Sequence, residues 1–151
     1  MSDIIRLVRP DLHVALECPA DWTVMDLDEQ SGLRASDPSD PRVALQVMYD
    51  ESGSALVEAS ERVRNGLPED SLCESRTLRR GAVDADGRAS PEGPPVKALS
   101  FTGRDGSFSC QVLVAEDNGH RWTVRLETLQ RKAWWQESQE LAAMLASLLL
   151  L

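Results

Sequence analysis

The chain has 151 residues, and its 25 acidic against 16 basic side chains give a net charge of -9. This length predicts one domain, residues 1–151, with a core that needs neither disulfides nor metal. The acidic balance disfavours nucleic acid and anionic membranes as partners, because both require a concentrated basic surface. No apolar run is long enough to span a bilayer and the N-terminal residues do not resemble a secretory signal, so we expect a cytoplasmic protein.

The first half of the chain begins with short strands. Apolar residues alternate with other residues over Leu12–Cys18, which predicts a half-buried strand that Pro19 ends. A turn leads into Trp22, which begins a second short strand, and Val43–Tyr49 forms the next one. The acidic and proline-rich stretches between these strands predict turns.

The second half is dominated by strands in close order. Leu72–Arg80 is polar enough to predict an edge strand, and the glycines and prolines of 81–95 predict a flexible loop that holds no ladder. Three strands then follow, separated by turn sequences, as expected for an antiparallel meander. They are Val96–Thr102, Phe108–Ala115 and His120–Glu127.

Two segments carry the apolar spacing of helices. Ser54 can cap a helix that the Asn65-Gly66-Leu67-Pro68 sequence ends, and a second helix is predicted from about Lys132 to Leu148. The elements do not alternate strictly between strand and helix. They therefore predict an α+β fold in which two helices cover an antiparallel sheet.

The sequence offers few residues for catalysis or metal binding. His13 and His120 are the whole histidine supply, and none of the common catalytic, phosphate-binding or cofactor motifs is present. We therefore predict no catalytic residue, no cofactor and no metal. The three widely spaced cysteines predict buried, reduced thiols. They are Cys18, Cys73 and Cys110.

Charged clusters have simple interpretations as solvated turns and strands. Asp84 and Asp86 lie in a turn-like sequence, where aspartate bonds to its own backbone, and the ligands that a calcium loop would need are missing. One cationic patch stands out in the acidic chain. It could bind an acidic partner or protect a strand edge from aggregation, and it consists of Arg76, Arg79, Arg80 and Arg88.

The C-terminal segment has more apolar residues than one sheet-facing stripe can bury. Trp135 is adjacent to Trp134 and points about 100 degrees away from it on a helix. We predict a contact surface for a protein partner or a homodimer here. Its residues are Trp135, Met144, Leu149 and Leu150. Alternatively, the tail adds an extended segment to its own sheet and Trp135 packs under residues 81–95.

The order of these segments is similar to that of a known family. The pattern comprises a Pro-x-x-Trp turn, a hydrophobic strand, a proline-led strand, a hairpin and a final helix, at Pro19–Val24, Val43–Tyr49, Gly93–Phe101, Arg121–Leu126 and Met144–Leu148. It resembles the PsbP-like superfamily, which includes bacterial DcrB-type and Ran-binding Mog-type proteins. The resemblance implies an α/β/α sandwich around an antiparallel sheet, and it carries no catalytic residue to this chain.

The resemblance and the missing chemistry together predict a non-enzymatic protein-interaction module. One alternative is a secretion-system chaperone or adaptor that shelters an apolar segment of an effector, for which a dimer with an open apolar groove would be diagnostic. A second alternative is a small-ligand carrier with a cavity lined by Trp22, Trp122 or Phe101. A pocket with His120 and Arg125 side by side would favour that alternative.

Overall fold

The computed structural model describes residues 3–27, 31–51, 72–105, 108–129 and 139–151. Within these ranges it contains strands β1 to β11 and one α-helix, α1, which covers Gln139–Ser147. A 3₁₀ turn at Pro10–Leu12 links the first two strands. The strands are Ile4–Arg9, Val14–Pro19, Thr23–Asp26, Gly32–Asp37, Asp40–Asp50, Leu72–Val83, Ala89–Pro91, Val96–Asp105, Phe108–Asp117, His120–Leu129 and Leu149–Leu150.

The strands form one sheet in the order β1-β2-β11-β6-β8-β9-β10-β5-β4-β3, and β7 pairs with β6 outside this path. Neighbouring strands are antiparallel, except that β11 runs parallel to β6. The predicted meander is confirmed as β8, β9 and β10, which pair in that order. The last two residues of the sheet, Leu149 and Leu150, fill the place between β2 and β6.

The sheet is curled so strongly that side chains from its two end strands come into contact. Arg9 of β1 donates a hydrogen bond of 2.6 Å to Asp26 of β3, although these strands lie at opposite ends of the sheet. The indole N–H of Trp122 in β10 reaches across to the carbonyl oxygens of Leu12 and His13, at 3.2 and 3.1 Å. The concave face therefore encloses the core.

The core shows the strand alternation that the sequence predicts. Val14, Leu16 and Cys18 of β2 are buried on the concave face, and Leu141 and Met144 of α1 pack against the same cluster. A smaller apolar cluster lies on the outer face of β8 and β9. Cys18 and Cys110 are buried thiols, whereas the side chain of Cys73 lies outside the described part of the structure.

The predicted α/β/α sandwich is wrong for the described residues, which are mostly strand with a single α-helix. Three strands, β1, β4 and β7, were not predicted. β1 has adjacent apolar residues at Ile4–Ile5 and Leu7–Val8 that hide a period of two, and β4 begins at a glycine, Gly32, shortly after an acidic stretch of the sequence. The predicted helix after Ser54 and the first part of the predicted C-terminal helix lie outside the described residues. Among the described residues, no helix is both long and apolar enough to cross a membrane.

Residues 81–95, predicted as a flexible loop without a ladder, contain a β-hairpin. Gly81–Val83 at the end of β6 pair with Ala89–Pro91 of β7. The hairpin forms because Asp84 and Gly87 supply turn geometry, and because a short peripheral strand tolerates a proline that cannot donate a hydrogen bond. The prediction of a loop was wrong because the glycines and prolines that argued against a strand lie in the turn of the hairpin and at the borders of its paired segments.

Candidate functional site

An open groove of about 470 Å³ lies on the outer face of the sheet across β1, β2, β11 and β6. The strand register explains its floor. Val8 pairs with Ala15, Ala15 pairs with Leu149, and Leu149 pairs with Arg79, so one row of side chains crosses all four strands. The row is apolar until Arg79 ends it. The small Ala15 side chain keeps the middle of the groove deep.

One side of the groove is polar. Arg6 of β1 lies opposite Glu17 of β2, and the two side chains form an exposed ion pair with an N–O distance of 3.4 Å. An exposed pair of this kind adds little to stability. The backbone N–H of Glu17 donates to the Ser147 hydroxyl at 2.8 Å, which fixes the end of α1 at this side of the groove.

The β6–β7 hairpin forms the opposite wall of the groove. It passes close to Leu149, because a Cβ atom added at Gly81 would lie 2.9 Å from the Cβ of Leu149. At the turn, the Asp84 carboxylate accepts hydrogen bonds of 2.9 Å from the backbone N–H groups of Asp86 and Arg88. This turn, which the sequence predicted as solvated, places Arg88 in the groove lining.

The groove is cationic although the chain is acidic. Its lining carries Arg6, Arg79 and Arg88 against the single carboxylate of Glu17. Within the described ranges, the guanidinium groups of Arg79 and Arg88 have no side-chain hydrogen bond or ion pair, so both remain available to a ligand.

Only half of the predicted arginine patch lines this groove. Arg76 pairs with Glu74 at 3.2 Å, and Arg80 pairs with Asp117, so these two side chains are occupied elsewhere. The sequence placed Arg79 and Arg88 in the patch correctly. It missed Arg6, because the pairing of β1 with β2 and of β11 with β6 brings Arg6 to the groove from the far end of the chain.

The two histidines, which are far apart in sequence, meet at one rim of the curled sheet. Their ring centroids lie 4.6 Å apart, and His13 stacks on Tyr49 with a centroid distance of 4.7 Å. His13 adopts a left-handed backbone conformation with φ 53 between the 3₁₀ turn and β2. The Nδ1 atom of His13 lies 3.3 Å from the main-chain oxygen of Leu151. This ring cluster joins β2 and β11 to β5 and β10.

A hydrogen-bonded chain runs through the same cluster. The Tyr49 hydroxyl contacts Nδ1 of His120 and donates to Glu51 at 3.2 Å, which leaves its oxygen to accept from His120. Burial, reinforced by Glu51, raises the pKa of Tyr49 to about 12. The phenol of Tyr49 therefore stays neutral at physiological pH. Because a general base works best with a pKa near the operating pH, Tyr49 is poorly suited to that role.

The same residues come within reach of a metal ion. His13, Glu51 and His120 each place a potential ligand atom within 4.8 Å of the others. An imidazole binds a metal in the plane of its ring, however, and these two rings lie against each other with centroids 4.6 Å apart and planes that differ by 35°. The two rings would have to rotate to share an ion. The arrangement therefore fits packing that joins the strands better than it fits a set of metal ligands.

A second cavity, of about 370 Å³, lies beside Arg121 and Thr123. Arg121 is buried and pairs with Asp50 through Nη2, whereas its Nη1 has no hydrogen-bond partner among the described residues. Glu116 lies directly opposite Arg121 in the strand register. The two neighbouring carboxylates reduce the attraction of this cavity for an anion.

The predicted C-terminal contact surface is largely buried. Met144 and Leu150 are each 1% exposed and Leu149 is 5% exposed, so the side chains of Met144 and Leu150 are covered by their own chain. The tail instead adds a strand to its own sheet, as the alternative interpretation held. Leu149 still reaches the groove lining. Trp135 lies outside the described residues, and its contact role stays a prediction.

The residues named for a ligand carrier do not meet in one cavity. Trp22 and Trp122 belong to the concave core, whereas Phe101 belongs to the outer cluster. His120 and Arg125 differ by an odd number of positions along β10, so their side chains leave opposite faces of the sheet. The arrangement that would have favoured a carrier is therefore absent from the described ranges.

Comparison with known proteins identifies the fold but not the family. No family model matches the chain, and no curated protein matches it. Among solved structures, the chain is similar to the solution structure of cyanobacterial PsbP (CyanoP) from Synechocystis sp. PCC 6803, with a TM-score of 0.60 and 14% sequence identity. The match covers 100% of this chain and 94% of that chain. The protein therefore has a PsbP-like fold.

Proposed function

We propose that the protein is a non-enzymatic interaction module that holds a short segment of a partner protein in the groove between β1 and the β6–β7 hairpin. The observation that carries this proposal is the combination of a continuous apolar floor, from Val8 through Ala15 to Leu149, with an arginine-rich border. An apolar centre with a polar rim is the usual anatomy of a protein interface.

The dimensions of the groove favour a segment over a folded domain. A cavity of about 470 Å³ accommodates a few side chains, and its floor is one row of residues wide. The wall provided by the hairpin would block a flat protein surface from reaching Leu149. A segment in extended conformation can enter such a groove and place alternate side chains on its floor.

The chemistry of the lining supports binding rather than catalysis. The described residues of the groove include no histidine, cysteine, aspartate or tyrosine. Its one hydroxyl group, that of Ser147, donates to the carbonyl oxygen of Met144 and accepts from the backbone of Glu17. The one carboxylate in the lining, that of Glu17, pairs with Arg6 rather than with this hydroxyl, so the hydroxyl has no partner there that would activate it.

The resemblance to DcrB-type and Mog-type proteins supports the same class of function, because those characterised act mostly by binding other proteins. A secretion-system chaperone is the alternative within that class. It would require a dimer in which the groove opens onto a larger apolar surface, whereas the proposed module functions as one chain. Sedimentation velocity over a range of concentrations distinguishes the two.

Selection from a display library of random segments of about twelve residues tests the proposal. We expect enriched segments to bind the parent protein and to lose binding to Val8→Trp, which fills the groove at β1. Thr123→Trp is the matched control, because Thr123 is half-buried on β10, away from both ends of the sheet order, and does not line the groove. Circular dichroism confirms that both variants fold. Segments that bind Val8→Trp as well as the parent would refute the groove as the binding site.

A further inference from the structure

We propose that the ligand of this groove is an acidic extended segment in which two carboxylates, spaced four residues apart, flank one apolar side chain. This inference rests on the proposed function and adds the chemistry of the partner. The carboxylates bind Arg6 and Arg79 at opposite ends of the groove. The apolar side chain rests above Ala15 and Leu149.

The spacing follows from the sheet. Arg6 lies on β1 and Arg79 on β6, with β2 and β11 between them. Adjacent strands are about 4.8 Å apart, so three steps across the sheet span about 14 Å. An extended chain advances about 3.4 Å per residue, so side chains four residues apart are also separated by about 14 Å on one face. The long arginine side chains accommodate the remaining offset along the strands.

The centre of the groove explains the apolar position. Side chains two residues from either carboxylate point in the same direction as the carboxylates. Such a side chain would lie midway between Arg6 and Arg79, where the register places Ala15 and Leu149. Ala15 has the smallest side chain of this row, and the open groove of about 470 Å³ that it lines has room for a leucine or a valine from the ligand.

The charges of the lining favour carboxylates over phosphate groups. Glu17 lies next to Arg6 and forms an ion pair with it. A dianionic phosphate would be repelled by Glu17 more strongly than a singly charged carboxylate. At the other end, Arg88 on the hairpin adds positive charge near Arg79 without a carboxylate neighbour in the lining. Because the rest of the chain is acidic, these arginines provide local selectivity for an acidic segment.

Fluorescence anisotropy with a labelled peptide, Gly-Glu-Ser-Leu-Ser-Glu-Gly, tests the inference at low salt. We expect Arg79→Gln to weaken binding roughly ten-fold, as the loss of a charge-assisted hydrogen bond requires. Arg76→Gln is the matched control. Arg76 lies on the same strand but outside the groove lining, and it pairs with Glu74. We also expect weaker binding when both glutamates become glutamines, when their spacing is reduced to two residues, or when leucine becomes serine.

Equal affinities for the glutamate and glutamine peptides, or equal effects of Arg79→Gln and Arg76→Gln, would overturn the inference. These outcomes are separable from failure of the proposed function. If the display selection returns groove-dependent segments that are neutral or basic, the groove binds partners but the acidic ligand is wrong. If no selected segment responds to Val8→Trp, the groove itself is wrong.

Discussion

Replacing Trp122 with alanine should destabilise the protein by roughly 3 to 5 kcal/mol, the usual cost of removing a buried aromatic ring. Trp122 is 2% exposed and lies in the concave core, where it contacts the rings of Tyr49 and His120. Its indole N–H also donates to the carbonyl oxygens of Leu12 and His13 across the curl of the sheet. The substitution therefore removes both apolar packing and a link between distant strands.

The phenylalanine variant separates these two contributions. Trp122→Phe retains most of the apolar ring but loses the N–H donor, so we expect a loss of about 1 to 3 kcal/mol. It also keeps the test usable if Trp122→Ala fails to fold, since a domain is commonly stable by only about 5 to 15 kcal/mol.

Urea denaturation followed by far-ultraviolet circular dichroism measures both effects. With a slope of about 2 kcal/mol per molar urea, a loss of 4 kcal/mol lowers the midpoint by about 2 M. Met25→Ala is the exposed control, for which we expect a change within about 0.5 kcal/mol. A loss below about 1 kcal/mol for Trp122→Ala would show that the ring does not fill the core and that the curl of the sheet has been assigned incorrectly.

Three further predictions follow from buried groups and close contacts. Tyr49 is the single tyrosine, so phenolate absorbance should titrate near pH 12 in the folded protein and near 10 in urea. Because the pKa of the phenol is higher in the folded state, the stability of the protein should fall as the pH rises from about 10 to 12. A midpoint near pH 10 in the folded protein would contradict the burial of the ring. Burial raises the pKa of Cys18 to about 11, so this thiol should resist a disulfide reagent in the folded protein. All three cysteines should react once the protein unfolds. Rapid modification of Cys18 in the native state would contradict the burial of its thiol. Gly81→Ala should lower the free energy of unfolding by roughly 1 to 3 kcal/mol, because the new Cβ would lie 2.9 Å from both Leu149 and the carbonyl oxygen of Ser90. An unchanged midpoint in urea would show that the hairpin does not pack closely against β11.

The amino-acid sequence by itself determined the local elements with a clear period. The alternation of Val14, Leu16 and Cys18 predicted β2 and its buried face, and the turn sequences on both sides of β9 predicted the meander. These features depend on residues that are close in the chain, so their pattern can be read directly. The alternation pattern did not predict strand β1, because the apolar residues of β1 occur in adjacent pairs.

The tertiary structure decided which distant residues form the candidate site. Arg6, Leu149 and Arg79 come together because β11 inserts between β2 and β6, a pairing that no local pattern specifies. His13 and His120 meet because the sheet curls, and curvature depends on the twist summed over many strands. The leucine tail shows the same distinction. Its composition indicated surplus apolar area, but only the vacant position between two strands determined that Leu149 and Leu150 would be buried by their own chain.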